Sequence, residues 1–225
     1  MSILKRLKYR SALPVVLLVV PFAYAEQRWS PPAVVTRYCS GCHGIDGKSQ
    51  LPYIPRLAGL SAAYSESKLA RFRATAPSPV DETFTRIVHI GSASKAAGVT
   101  AAAAAHMVGT AHAITDEDLK VAAQWYAAQV PATGKGGKGK LIEEGRNLFF
   151  NGIQSEGLPA CQTCHGPEAE GTDEAPRLAG QNAAYVVGQL AHFRRAEGYN
   201  SVMTGVARSV KRDQARSVAA YLQSR

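Results

Sequence analysis

The four cysteines of this 225-residue chain fall into two copies of one short pattern. Residues 39–43 read Cys-Ser-Gly-Cys-His, and residues 161–165 read Cys-Gln-Thr-Cys-His. Two thiols separated by two residues can each form a thioether with a vinyl group of one haem, and the adjacent histidine then directs its imidazole at the iron. The pattern predicts two covalently bound haem c groups, attached and ligated by Cys39, Cys42, His43, Cys161, Cys164 and His165.

Other uses of paired cysteines explain this pattern less well. A thioredoxin-like redox pair has no need of the histidine. A zinc site that shared both pairs would span a separation of 122 residues, which exceeds the usual ligand spacing and leaves both histidines unexplained. A disulfide within one pair would close a short, strained loop. We therefore interpret both motifs as haem attachment sites.

The chain contains an internal duplication that includes both motifs. A Pro-Arg-Leu-Ala-Gly block stands at residues 55–59 and again at 176–180. The offset between the copies is 122 residues at the haem motifs and 121 residues from these blocks onward. A repeat of this length indicates a duplicated domain rather than a solenoid. We expect domain 1 over 26–130, domain 2 over 141–225, and a solvated, flexible linker over 131–140.

The last part of each copy predicts an amphipathic helix. Apolar residues recur at the spacing of one helical face, in two sets 96 residues apart: Leu119, Ala122, Ala123 and Tyr126, then Ala215, Val218, Ala219 and Leu222. Thr115 offers a cap for the first of these helices. The fall in offset from 121 to 96 indicates about 25 extra residues in domain 1, near 77–101. A lid over the first haem, a partner-docking surface and inert padding all remain open for this stretch.

A second axial ligand for each iron is expected from the far side of the haem. Besides Met1 the chain has two methionines, Met107 and Met203, which lie 96 residues apart and twelve residues before matching positions of the two closing helices. A methionine thioether is a common ligand that raises the reduction potential of a haem. We therefore assign Met107 and Met203 as the second axial ligands.

Several histidines and other polar residues leave alternatives open around these haems. Either His106 or His112 can take the place of Met107, which would give the first haem a lower potential. His89 and His192 are expected at the surface or at a haem edge rather than on an iron. The remaining candidates can either hydrogen-bond haem propionates or lie at an interface between the domains: Arg56, Arg177, Tyr64 and Tyr185.

The net charge of +9 is concentrated outside the repeated domains. Four basic residues stand among the first ten, before an apolar run over 12–23 and Ala-Tyr-Ala at 23–25. This arrangement predicts a signal peptide over 1–25 and export to the periplasm; an uncleaved anchor fits less well, because the run is short and contains two prolines. Most of the remaining positive excess lies in the linker, which holds three lysines and no acid. The domains themselves therefore show no basic face, and we expect no nucleic-acid partner.

With two haem motifs, two Pro-Arg-Leu-Ala-Gly blocks and paired methionines, the chain resembles the di-haem cytochrome c4 family. The second half matches the family pattern better, through residues 176–181, Tyr185 and 189–194. The resemblance implies an all-α fold of two tandem cytochrome c-like haem domains. It also suggests that the carbonyls of Pro55 and Pro176 accept the second ring N–H of the proximal histidines.

The resemblance further implies a periplasmic electron carrier rather than an enzyme. Its partners would be redox proteins, such as an oxidase, a dehydrogenase or another cytochrome, in a respiratory chain leading towards a terminal oxidase; peripheral contact with a membrane is compatible with this role. Two alternatives stay open: a di-haem enzyme of the peroxidase or thiosulfate dehydrogenase type, and a dedicated electron-transfer subunit of a membrane oxidase or dehydrogenase. The enzyme is less favoured, because peroxidases are usually longer and thiosulfate-oxidising relatives often use a distal cysteine, for which this chain has none to spare.

Overall fold

The structure, a computed structural model, describes residues 30–76, 96–134, 136–195 and 201–225. The predicted signal peptide and most of the predicted extra stretch of domain 1 lie outside these residues. The regular elements described are helical, apart from one isolated antiparallel bridge between Ile153 and Leu158. None of the described helices combines the length and the apolar character that a membrane span requires. The predicted all-α fold is confirmed.

Both halves of the chain, residues 31–130 and 141–225, arrange helices in the same order around a haem motif. The described first half has α1 (Ser40–His43), α2 (Ala62–Ala74), α3 (Ala96–Ala113) and α4 (Asp116–Ala127). The second half has α5 (Lys140–Asn151), α6 (Gln162–His165), α7 (Ala183–Arg195), α8 (Ser201–Ser209) and α9 (Arg212–Gln223). A π-helical turn at Val35–Cys39 leads into α1, and a 3₁₀ turn at Gln154–Glu156 follows α5. The two predicted closing helices are confirmed as α4 and α9.

The closing helix of the first half begins at the predicted cap. Thr115 Oγ1 accepts a hydrogen bond from Asp118 N at 3.0 Å, and the Asp118 carboxylate accepts one from Thr115 N at 3.3 Å. This reciprocal pair satisfies two backbone donors that the helix itself leaves free. The apolar face predicted for α4 is buried against Val34, Val35 and Ile114, and α4 packs on α2.

In the second half α9 crosses α5 at very close range. Phe149 on α5 is completely buried, and its ring lies 5.5 Å from that of Tyr221 on α9. The approach is possible because α5 has a glycine at the crossing: a Cβ on Gly145 would overlap the backbone carbonyl of Ser217. Helix α9 also packs against α7, and α7 against α8, so the core of this half surrounds α9.

Residues 31–225 form one compact unit, in which α3 of the first half packs against α7 of the second. The connector between α4 and α5 was predicted to be solvated and flexible. Its glycine-rich part makes backbone hydrogen bonds to the end of the chain, from Gly136 N to Ser224 O at 3.1 Å and from Gly134 N to Arg225 O. A Cβ on Gly134 would overlap Ser224, so glycine permits this contact.

Replacing Gly145 by alanine should destabilise the protein, although alanine favours a helix over glycine by about 1 kcal/mol. The new Cβ would overlap a backbone atom of α9, which can yield only if the helix shifts. We expect the free energy of unfolding to fall by about 1–3 kcal/mol, as in overpacked cores, measured by denaturant titration of the haem-loaded protein. Gly205→Ala is the matched control, because a Cβ on this helical glycine meets nothing within 4 Å. Equal effects of the two substitutions would contradict our account of the crossing.

Candidate haem sites

Each haem motif ends its helix at a glycine whose backbone conformation other residues avoid. Gly44 follows His43 and Gly166 follows His165, and both glycines have φ 80° and ψ 154°. A positive φ strains residues that carry a Cβ, so glycine is required at both places. The chain therefore leaves α1 and α6 with the same local geometry, and both histidines are buried, with 5% and 7% of their surface exposed.

The closing helix of the first half holds the chain where it leaves the first motif. Tyr126 Oη on α4 donates a hydrogen bond to Gly44 O at 3.0 Å, and Trp125 Nε1 donates one to Ile45 O at 2.8 Å. These carbonyls follow the last turn of α1 and have no partner within that helix. The predicted amphipathic helix thus positions the haem motif as well as filling the core.

Both motif histidines make one hydrogen bond to a proline carbonyl. His43 Nδ1 lies 2.9 Å from Pro55 O, and His165 Nδ1 lies 2.9 Å from Pro176 O. A carbonyl oxygen can only accept, so Nδ1 carries the proton and Nε2 presents a lone pair. These are the prolines that begin the two Pro-Arg-Leu-Ala-Gly blocks. The arrangement gives each imidazole the tautomer and the fixed ring orientation that a metal ligand needs.

Burial keeps these histidines neutral and the first cysteine of each motif protonated. Removal from water lowers the pKa of His43 and of His165, against the smaller opposing effect of their proline carbonyls. The same desolvation raises the pKa of the Cys39 thiol and of the Cys161 thiol to about 11. All four motif cysteines are free of disulfides. Neutral imidazoles and free thiols are the forms from which iron ligation and thioether attachment proceed.

A cavity lies beside the first motif and is lined by the residues that a haem would contact. Cys39, Cys42 and His43 form one side, and Met107 on α3 is also part of the wall. Much of the remaining wall is apolar, including Ile54, Leu57, Leu60, Leu69 and Phe72. Two thiols, a neutral imidazole, a thioether and apolar side chains fit a covalently attached macrocycle whose iron takes two axial ligands.

The alternative ligands proposed for the first haem occupy different places. His106 lines the cavity together with Met107. His112 lies at the end of α3, where its Nε2 is 3.0 Å from Thr75 O. His89 lies outside the described residues. His192, expected at the surface or a haem edge, lines the cavity of the first half although it belongs to α7 of the second half.

The second motif has a corresponding set of parts. Met203 lies on α8, in the same place before the closing helix that Met107 has on α3. Cys161 packs against a buried cluster that includes Phe149 and Val218, whereas Cys164 is exposed. The repeat of motif, proline carbonyl and methionine-bearing helix gives the second half the same candidate ligand set as the first.

The paired arginines and tyrosines are not placed symmetrically. Arg56 Nε donates to Ser49 O at 3.3 Å and its Nη1 donates to Gly180 O at 2.5 Å, so its guanidinium lies where the two halves meet. Arg177 lines the cavity, and its Nε is buried without a hydrogen-bond partner among the described residues. A buried cationic donor that faces the cavity fits an anionic group such as a haem propionate. Tyr64 and Tyr185 also line the cavity.

Sequence analysis did not predict that two residues join the halves beside the first site. Gln181 and Asn182 follow the second Pro-Arg-Leu-Ala-Gly block, and their side chains bond to backbone groups of residues 49–56 in the first half. Gln181 also lines the cavity. The one available signal was the change from Leu60 and Ser61 at the matching positions of the first half to two amides here.

Comparison with known proteins agrees with this description. The family model of cytochrome c matches residues 32–125. Cytochrome c4 of Azotobacter vinelandii is 31% identical over 192 residues, which cover 82% of this chain and 83% of that protein. A protein of Thiomonas intermedia, named thiosulfate dehydrogenase electron acceptor, is 30% identical over 220 residues and covers 95% of this chain and 90% of its own length.

The fold is also shared with a solved structure. The crystal structure of reduced recombinant cytochrome c4 from Pseudomonas stutzeri superposes with a TM-score of 0.67 at 28% sequence identity. The similarity covers 84% of this chain and 94% of that one. Coverage of this size extends into both halves of the chain.

His192 should make the protein less stable as the pH falls towards 5.5. Burial lowers its pKa in the folded state, and the nearby cations Lys68 and Arg195 lower it further. The unfolded chain then binds more protons than the folded chain below about pH 6.5, so folding is penalised there. We expect His192→Gln to lose less stability than the parent between pH 7.5 and 5.5 in denaturant titrations. Parallel curves for the two proteins over this range would contradict the assignment.

Proposed function

Because this chain belongs to the di-haem cytochrome c4 family, we propose that it carries electrons between protein partners in the periplasm and transforms no substrate. Members of the family bind two haem c groups, whose irons alternate between Fe(III) and Fe(II). The observation that supports a carrier most directly is the repeated site. Each half brings a buried, neutral histidine with its Nδ1 held by a proline carbonyl, and each carries one methionine ahead of its closing helix.

In this proposal the protein closes both axial positions of each iron. His43 and Met107 hold the first haem, and His165 and Met203 hold the second. The first haem position is enclosed by apolar residues of α2 and α4, such as Leu69 and Ala122, which restrict the access of water. The same ligands serve both oxidation states, so little has to move when an electron arrives or leaves. That property suits a carrier and is the opposite of an enzyme site, which needs an open position for substrate.

Carbon monoxide should leave the absorption spectrum of the reduced protein almost unchanged at neutral pH. Both irons already have two protein ligands in our assignment, so none is open to the gas. Met107→Ala and Met203→Ala should each create one open iron, and each variant should then bind one equivalent of carbon monoxide.

Two other outcomes would be decisive. A large spectral shift in the parent protein would reveal an open haem and favour the di-haem enzyme. If neither the parent nor Met107→Ala binds carbon monoxide, Met107 is not the axial ligand. His106, which also lines the cavity, would then take that role.

We further propose that the electrons come from an enzyme that oxidises a small sulfur anion such as thiosulfate. The similarity to the Thiomonas electron acceptor supports this donor, since it extends over nearly the whole of both chains. The cysteine content supports the view that this chain accepts the electrons while another protein oxidises the thiosulfate. All four cysteines belong to the two attachment motifs, which leaves none to serve as a distal ligand in thiosulfate oxidation. The predicted signal peptide over 1–25 supports the proposed periplasmic location.

The oxidised protein should be reduced rapidly by a thiosulfate dehydrogenase supplied with thiosulfate, and not by thiosulfate alone. The absorbance of the reduced haems, followed in a stopped-flow instrument, measures both reactions. Dehydrogenase without thiosulfate is the control. Sustained turnover of thiosulfate by this protein alone, with an artificial electron acceptor, would identify it as the enzyme instead. Failure of reduction in the complete mixture would exclude this donor.

A further inference from the structure

Two side chains of the second half hold the loop that carries Pro55. Gln181 Oε1 accepts a hydrogen bond from Arg56 N at 2.9 Å, and Gln181 Nε2 donates one to Arg56 O at 3.0 Å. Asn182 Nδ2 lies 2.9 Å from Ile54 O and 3.0 Å from Leu51 O. Both amides are buried, with 5% and 6% of their surface exposed. The segment on either side of Pro55 is therefore fixed from the other half of the molecule.

The hydrogen bond from Arg56 N to Gln181 acts on the same peptide unit that contacts the first haem motif. The carbonyl of Pro55 and the N–H of Arg56 belong to one planar peptide group, whose C=O and N–H point in opposite directions. On one side Pro55 O accepts from His43 Nδ1 at 2.9 Å, and on the other side Arg56 N donates to Gln181. Linked hydrogen bonds polarise one another, so the acceptor on Arg56 N makes Pro55 O a stronger acceptor for His43.

The first half has no amide at the matching position to bond to the proline peptide unit of the second half. By the 121-residue offset, the residues at the positions of Gln181 and Asn182 are Leu60 and Ser61. A leucine side chain has no polar atom, so Leu60 cannot bond to the peptide unit that joins Pro176 and Arg177. The contact that Ser61 makes with the second half goes to the side chain of Asp173. The two motif histidines thus make hydrogen bonds of equal length to their prolines, but only the peptide unit of Pro55 is held by a side-chain amide from the other half.

We infer that Gln181, assisted by Asn182, is a positioning residue for the proximal histidine of the first haem. Through the peptide unit of Pro55 and Arg56, it strengthens the hydrogen bond at His43 Nδ1 and makes the imidazole a stronger electron donor to the iron. A more basic imidazole stabilises Fe(III) and lowers the reduction potential. The contact between the halves therefore lowers the potential of the first haem and leaves that of the second unchanged. The inference rests on the proposed role of His43 as an iron ligand.

A purely structural role for the two amides is the alternative. In that case Gln181 and Asn182 hold the halves together, and their loss loosens the interface without acting on His43 in particular. The two roles differ in what they change. Gln181 also lines the first cavity, so loss of its amide can shift the potential of the first haem in either role. Only the positioning role also changes the exchange of the proton on His43 Nδ1 and leaves that of His165 as it was.

The test replaces Gln181 by the residue of the first half. In Gln181→Leu the reduction potential of the first haem should rise while that of the second stays constant. A redox titration followed by NMR measures both, with haem signals assigned through their contacts to His43 and His165. Asp173→Ala is the matched control, because it removes the hydrogen bond that Ser61 donates across the same interface, leaves Ser61 Oγ as the cap of α2 at Tyr64 N, and touches no residue of 54–56. It should leave both potentials unchanged.

A second readout follows the proton itself. In the reduced protein, exchange of the His43 Nδ1 proton with solvent should accelerate by about tenfold or more in Gln181→Leu, which is the effect of weakening a bond by about 1.4 kcal/mol. The corresponding proton of His165 should exchange at the parent rate. If Gln181→Leu fails to assemble, Asn182→Ser alone should change the same two quantities in the same direction, by smaller amounts.

Each outcome is informative. An unchanged potential or an unchanged exchange rate at the first site, or equal changes at both sites, would overturn the positioning role. A parent protein in which His43 shows no contact with a haem iron would instead overturn the proposed ligation, which separates the failure of this inference from that of the proposed function.

Discussion

The hydrogen bond between each motif histidine and a proline carbonyl is the interaction on which both candidate haem sites depend. It joins the attachment motif to a block that lies 12 residues further in the first half and 11 residues further in the second. It also determines the tautomer, and so leaves Nε2 as the atom that would bind an iron. The glycine after each histidine, with its φ of 80°, gives the chain the turn by which it leaves the motif helix. The short spacing between motif and block thus brings the proline carbonyl within hydrogen-bond distance of the histidine in both halves.

Much of this organisation can be predicted from the sequence, because its determinants are local. Thioether attachment needs two cysteines and a histidine within five residues, and the 121-residue repeat of Pro-Arg-Leu-Ala-Gly reveals the duplication. The closing helices follow from the spacing of their apolar residues, and Thr115 is recognisable as a cap next to three acids. Each of these features is encoded by residues that lie close together in the chain.

Contacts between the halves could not be predicted in the same way. Asn182 bonds to the carbonyl of Ile54, 128 residues away, and every residue offers a carbonyl, so the partner leaves no trace in the sequence. For the same reason the hydrogen bond from Gly136 N of the connector to Ser224 O could not be predicted. Residues 136–140 there are exposed, but backbone pairing needs no particular side chain. His192 lines the first cavity because α7 packs against α3, which is a property of the assembled unit.

The unequal pair Gln181 and Leu60 also bears on how such a chain can evolve. In a symmetric assembly of two first halves, Leu60 would take the place of Gln181. The buried N–H and C=O of Arg56 would then have no partner there. Each such group costs about 1–3 kcal/mol. Divergence at this position therefore makes the duplication difficult to reverse: a first half cannot take the place of the second half in a homodimer, because it lacks the amide that holds the loop of its partner.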